Sequence, residues 1–306
     1  MNPILAGTLL LLTTTALARS PCKPSVIGDL QMHSFQSIAY GEAQTLRVWL
    51  PPGYNEPANS QKKYPVFYLL DGQNAFDACT SFDRKNEWQV DETLTRLIAE
   101  NRVEPIIVVG IDSGPRRIHQ YSPYKDTVTR AKEPEPIGKQ LPMYIGSEVV
   151  PYISARYRVT SDPGRTGIGG ASTGGAAALY VLLNRLDLFS FGLIESPSLQ
   201  IGNGQLLRDT SFLVLGPDRV YIGVGTTEFA GGGEQMAAKM RLSFDRLNAA
   251  GVKMSETLAA NLKAAYVNQP DVRLVIEPNA THSQVSWARR FPAAITFLYG
   301  KDMRKQ

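Results

Sequence analysis

Thr166-Gly167-Ile168-Gly169-Gly170-Ala171-Ser172-Thr173-Gly174-Gly175 is the stretch on which the reading of this chain turns. Gly170 to Gly174 fit G-x-S-x-G. Before them Arg165–Gly169 reads as a short strand, and after them the Ala-rich run Gly174–Asn184 reads as a helix. A strand that turns directly into a helix leaves no room for side chains beside the turn. That accounts for Gly170 and Gly174, and it lifts Ser172 over the helix N-terminus. A Gly-rich turn with an incidental serine carries the same letters, but the strand before and the helix after point to a nucleophile.

Outward from that turn the pattern alternates. Leu30–Ser37 and Thr45–Leu50 read as early β segments, and Tyr64–Leu70 and Pro105–Ile111 as strands buried on both faces. Further strands are expected at Phe191–Ile194, Val220–Val224 and Val272–Ile276. Helices are expected at Val90–Ala99, Leu141–Tyr157 (interrupted or started by Pro151), Glu234–Leu262 and Trp287–Leu298. Strands alternating with helices predict an α/β fold, a mostly parallel central sheet with helices on both faces. Neither a repeat nor a low-complexity linker divides the chain, so residues 19–306 are expected to form one domain.

A serine hydroxyl needs a base. Of the three histidines, His33 and His119 precede Ser172, whereas His282 stands in a loop just after the last strand. In α/β-hydrolase order the histidine comes last, which selects His282. The acid should fall between the two, at a strand end. Glu228, just past Val220–Val224, ranks first, Glu195 second, and Asp271 is a further rival. The oxyanion of an acyl transfer needs two backbone N–H donors. Thr173, following the serine, supplies one, and Gln73, in the loop after Tyr64–Leu70, is the choice for the other.

These residues carry a resemblance. Tyr68-Leu69-Leu70-Asp71-Gly72-Gln73-Asn74-Ala75-Phe76-Asp77, Glu87-Trp88-Gln89-Val90-Asp91, Val108-Val109-Gly110-Ile111-Asp112, Ser196-Pro197-Ser198, and His282 followed by Trp287 and Phe297-Leu298-Tyr299-Gly300 resemble the putative-esterase family of α/β-hydrolases. That family includes siderophore, feruloyl and acetyl-xylan esterases, S-formylglutathione hydrolases and mycolyltransferases. The resemblance implies the α/β-hydrolase fold, with nucleophile, acid and base on Ser172, Glu228 and His282 and oxyanion donors on Gln73 and Thr173. Two positions depart from the family pattern. Thr173 stands where Met or Leu is usual, and Glu195 where a small residue is common, which puts an extra carboxylate near the site.

The function expected is an exported serine esterase working through an acyl-enzyme with a Ser-His-Glu triad, acting on a small-molecule, carbohydrate or siderophore ester. No metal and no cofactor is called for. Acyl transfer to an alcohol by the same triad is the alternative. A non-catalytic binding protein on this fold is less favoured, since a decayed site usually lacks a triad member and here all three are in order. Trp88, Trp287, Tyr121 and Tyr124 are candidates to line a pocket for an aromatic acyl group.

The remaining features bound location and partners. Thirty-two Lys and Arg against 28 Asp and Glu give a net charge of +4 without a dense basic run, which argues against nucleic acid. Ile4–Ala18 is apolar, too short for a comfortable membrane span, and ends in the small-x-small pattern Ala16-Leu17-Ala18, so residues 1–18 read as a signal peptide removed on export to a periplasmic or external location, with no stable membrane anchor afterwards. The sequon Asn279-Ala280-Thr281 abuts His282, where a glycan would obstruct the site, which leans toward a bacterial protein. Whether the two cysteines, Cys22 and Cys79, are bridged, and what the oligomeric state is, the sequence leaves open.

Overall fold

Eight strands form one sheet in the order β1-β2-β4-β3-β5-β6-β7-β8 in this computed structural model, which describes residues 22–127, 134–229 and 238–301. The strands are β1 Asp29–Gln36, β2 Ala43–Leu50, β3 Val66–Leu70, β4 Ile107–Ile111, β5 Thr166–Ala171, β6 Phe191–Glu195, β7 Arg219–Gly225 and β8 Asp271–Glu277. From β4 through β3 to β8 all neighbours are parallel, while β1 and β2 form an antiparallel hairpin whose second strand pairs antiparallel with β4. The helices are α1 Val90–Ala99, α2 Arg117–Tyr121, α3 Leu141–Tyr144, α4 Val150–Ser154, α5 Thr173–Asn184, α6 Gln205–Asp209, α7 Ala238–Lys263 and α8 Gln284–Tyr299.

The strand sequences explain the layers. VFYLL, IVVGI, TGIGGA and FGLIE (β3 to β6) are buried at every residue, as strands covered on both faces must be. Side chains alternate across the pleat. Tyr68, Leu70 and Ile168 join one core with residues of α4, α5 and α7, whereas Phe67, Leu69 and Leu193 join a second core with residues of α1 and α8. The edge strand β1 alternates half-buried and exposed residues instead.

Most expected elements appear, with three adjustments. Strand β3 starts at Val66 rather than Tyr64, because Pro65 offers no N–H to a ladder; Tyr64 makes only an isolated bridge to Val159. The helix expected at Leu141–Tyr157 runs as α3, a π segment Ile145–Val149 and α4. Pro151 has no N–H to give to the carbonyl four residues back, and the backbone widens ahead of it. The long helix expected from Glu234 is described from Ala238, as α7. The expected signal segment Ile4–Ala18 lies outside the described residues. Among the described residues no helix is long and apolar enough to cross a membrane.

The order places β3 between β4 and β5. The chain therefore leaves the ends of β3 and β5 in opposite directions and opens a crevice there, the usual ligand position in an open parallel sheet. Asp71–Asn74 and Ser172 stand at those two ends. This is the strand order and layering of the α/β-hydrolase fold.

Candidate active site

Ser172 forms the junction between β5 and α5 with φ 59° and ψ −128°, a conformation non-glycine residues rarely adopt and that costs on the order of 1–3 kcal/mol. Backbone bonds hold it: its N–H donates to the Glu195 carbonyl at 2.9 Å, and its carbonyl accepts from Ser198 N–H at 3.0 Å and Ala176 N–H at 3.2 Å. The glycines are needed for approach. A Cβ on Gly170 would lie 2.6 Å from the Gly174 carbonyl oxygen, and one on Gly174 would lie 2.7 Å from Asp71 Oδ2. The Ser172 hydroxyl lies 3.4 Å from Ser198 Oγ.

His282 follows β8, and its Nδ1–H donates to Glu228 Oε2 at 2.5 Å. This leaves Nε2 as the unprotonated nitrogen of a neutral ring, the one able to accept a proton. Glu228 is reached just past β7. Its other oxygen, Oε1, accepts from Gly225 N–H at 2.6 Å and Ser196 O–H at 2.7 Å. Burial would raise the Glu228 carboxyl, but the bonds from His282, Ser196 and Gly225 outweigh it and hold it below its ordinary value. The carboxylate side chain is 5% exposed against 30% for the imidazole. Substrate can thus reach the ring and not the acid.

Ser172 and His282 line one cavity of about 180 Å³ together with Leu69, Trp88 and Trp287. No hydrogen bond joins the imidazole to the Ser172 hydroxyl; they share the cavity wall. The rival acids are placed elsewhere. Glu195 is fully buried and paired with Arg290 at 2.7 Å, and Asp271 is exposed at the start of β8, the opposite end of the strand from His282.

Thr173 is the first residue of α5 and Gln73 lies in the single 3-10 turn Gly72–Asn74, so neither N–H has a carbonyl of its own helix to bond. Gln73 is pinned from both sides: its Nε2 donates to Ser113 Oγ at 2.8 Å, and its Oε1 accepts from Ser113 N–H at 3.0 Å. Its neighbours Asp71 and Asn74 line the cavity, and Thr173 lines the adjoining crevice with Tyr121, Tyr124 and Ser198. Of the four aromatics singled out in the sequence, Trp88 and Trp287 wall the cavity, and the two tyrosines belong to the crevice.

Two features were missed by the sequence reading. Arg117 reaches the cavity wall and grips Asp71 through two bonds of 2.7 and 2.6 Å, in the bidentate geometry an Arg fork favours. Around Glu228, Ser196 Oγ accepts from Trp287 Nε1–H at 2.9 Å and Arg290 Nη2–H at 3.3 Å. For the second, the available hint was Arg290, a second arginine directly ahead of the apolar run Phe291-Pro292-Ala293-Ala294-Ile295. Among the described residues, one carboxylate group could hold a metal ion: oxygens of Glu87, Asp91 and Glu92 lie within 4.8 Å of one another. None of the three lines the cavity of Ser172. Burial, with backbone bonds opposing it, pushes Glu87 up to about 7 and Asp91 up to about 8, so close carboxyls here can share protons.

Fold and site together define an α/β-hydrolase with a serine at the strand–helix turn facing a histidine–carboxylate pair. The chain belongs to the putative esterase family, whose model matches residues 37–298, and membership places it among the hydrolases that act on esters. It is 24% identical over 257 residues to the protein YbbA of Bacillus subtilis, covering 83% of this chain and 92% of that one. It is 29% identical over 164 residues to the ferri-bacillibactin esterase BesA of the same organism, covering 49% of this chain and 53% of BesA. The siderophore hydrolase EstA of Aspergillus nidulans shares the fold with a TM-score of 0.70 at 21% identity, covering 93% of this chain and 98% of that one.

Proposed function

We propose that the protein is an exported serine esterase that cleaves carboxylic esters through an acyl-enzyme. The observation that carries this reading is the 2.5 Å His282–Glu228 bond beside Ser172 on one cavity. In the proposed reaction Ser172 Oγ turns from Ser198 and attacks the ester carbonyl carbon while His282 Nε2 takes its proton. The N–H groups of Gln73 and Thr173 receive the tetrahedral oxyanion, which collapses as the alcohol leaves with the proton from His282. Water then attacks the acyl-Ser172 ester while His282 takes its proton; His282 returns that proton to Ser172 Oγ as the acyl bond breaks, and the acid departs. Glu228 keeps the imidazole in the Nδ1–H tautomer and stabilises its charged form.

The substrate class is a small-molecule ester. The cavity is walled by Leu69, Trp88 and Trp287, which suits an apolar or aromatic acyl group, and the likeness to BesA favours siderophore lactones among such esters. Residues 1–18 acting as a removed signal, with 19–306 as one domain, complete the reading. The Cys22–Cys79 disulfide supports export, since such bonds persist in oxidising compartments. The test is hydrolysis of acetyl, longer acyl, feruloyl and catecholate esters, with competing alcohols present, by wild type and Ser172→Ala. Ester cleavage with water as acceptor and loss in the variant are expected; alcohol esters as the main product would make it an acyltransferase.

A further inference from the structure

Glu228 owes its orientation to a buried chain of bonds that begins at Glu195, the residue that ranked second as the acid. Arg290 on α8 is 4% exposed and lies between two carboxylates: its Nε donates to Glu195 Oε2 at 2.8 Å, and its Nη1 donates to Glu277 Oε2 at 2.8 Å. With the fork held at both ends, its Nη2 also points at Ser196 Oγ, 3.3 Å away. Trp287 Nε1–H donates to the same oxygen at 2.9 Å.

A serine hydroxyl has two acceptor positions and one hydrogen. Trp287 and Arg290 occupy both acceptor positions, so the hydrogen is directed to the third neighbour, Glu228 Oε1, at 2.7 Å. Gly225 N–H completes that oxygen at 2.6 Å, which turns Oε2 to the imidazole. The Ser196 backbone is also anchored, its N–H donating to the Gly223 carbonyl at 2.7 Å. Gly223 has to lack a side chain, because a Cβ there would lie 2.3 Å from Glu195 Oε2.

We propose that Ser196, set by Arg290 and Trp287, is a positioning residue for the triad acid: its O–H donates to Glu228 so that the carboxylate stays ionised and aimed at His282. The Glu195–Arg290 pair is the buried support of that hydroxyl. This inference rests on the serine-esterase reading above. The titratable and charged groups facing Glu228 are His282 and, through Ser196, Arg290 with its partners Glu195 and Glu277.

The experiment measures kcat, KM and the pH profile of hydrolysis of one ester by wild type, Ser196→Ala, Glu195→Gln/Arg290→Met, Arg289→Gln and Ser172→Ala. Ser196→Ala is expected to lower kcat about tenfold to a hundredfold, the weight of one hydrogen bond to a charged group, with KM changed by less than about twofold. The acid limb of kcat should move to higher pH, because Glu228 loses a donor that favours its ionised form. Glu195→Gln/Arg290→Met removes both buried charges together, avoiding an orphaned carboxylate, and should shift the limb in the same direction. Arg289→Gln loses only the exposed partner of Glu277 and should match wild type. If Ser196→Ala and the double variant keep the wild-type kcat and pH profile while Ser172→Ala is inactive, the positioning role is overturned and the esterase reading stands. A kcat loss with an unmoved acid limb overturns it too, marking a merely structural effect. An active Ser172→Ala overturns both readings.

Discussion

Ser172 is held at φ 59° by bonds from its backbone to Glu195, Ser198 and Ala176 rather than by its hydroxyl, so removing the oxygen should leave the turn intact. Ser172→Ala is therefore expected to keep the wild-type circular dichroism spectrum and melting temperature while ester hydrolysis falls by about a thousandfold or more. Organophosphonate labelling should vanish in the same variant. For the acid, Glu228→Gln is expected to cost at least about tenfold more in kcat than Glu195→Gln, because only Glu228 touches the imidazole. A reversed ranking would transfer the role to Glu195. At Glu87 and Asp91 the consequence is for stability. Both carboxyls titrate in the fold near 7 and 8, pushed up by burial, against about 4 in the unfolded chain. Between those values the folded state holds protons that the unfolded state has released. Stability from this pair is complete at low pH and is lost as pH rises through about 7 to 8. The unfolding free energy should thus decline from about pH 4 to about pH 8 and level off above, and Asp91→Asn should flatten that decline in a urea series.

The β5–α5 turn was readable as an element because its requirement is local: two glycines, a serine between them, an apolar strand before and small residues after. Close approach makes it intolerant. Gly170→Ala places a Cβ 2.6 Å from the Gly174 carbonyl oxygen, a backbone atom that cannot swing aside. We expect a loss of about 1–3 kcal/mol in denaturant unfolding, with a larger proportional loss of activity because Ser172 shifts with the turn. Strand ends were equally legible, which is why Glu228 and His282 could be singled out as candidates from their places after β7 and β8. Less legible was α8. Its apolar spacing marked a core helix, yet Trp287 and Arg290 both donate to Ser196 on a distant strand end. Helical periodicity says which face is buried and not which polar atoms that face will meet.

Cys22 and Cys79 are joined across 57 residues of chain that include β1 to β3, closing the pairing the sequence left open. Constraining a loop of this size contributes on the order of 2–4 kcal/mol, largely through the unfolded chain. Reduction is expected to lower the melting temperature by several degrees. Titration of the denatured, unreduced protein should find no reactive thiol; two per chain would contradict the bridge. The bond ties the first described residue to the segment that follows Gln73, whose carbonyl also accepts from Thr80 O–H at 2.7 Å. Reduction should for that reason lower activity at temperatures where the global fold persists.

The sequence by itself determined the α/β alternation, the buried central strands, the strand–serine–helix turn and the chain order of serine, carboxylate and histidine. Each of these depends on neighbours a few residues apart or on position along the chain. Only the tertiary structure shows what Glu228 and Glu195 touch, for they stand at adjacent strand ends and look alike in sequence. Glu228 meets His282, whereas Glu195 points into the interior beneath Gly223 and is claimed by Arg290. The Asp71–Arg117 grip, the orientation of Ser196 and the cysteine bridge were decided the same way. Each joins groups from segments far apart in the chain, and neither periodicity nor spacing encodes which side chains will face each other once the sheet has brought its strand ends together.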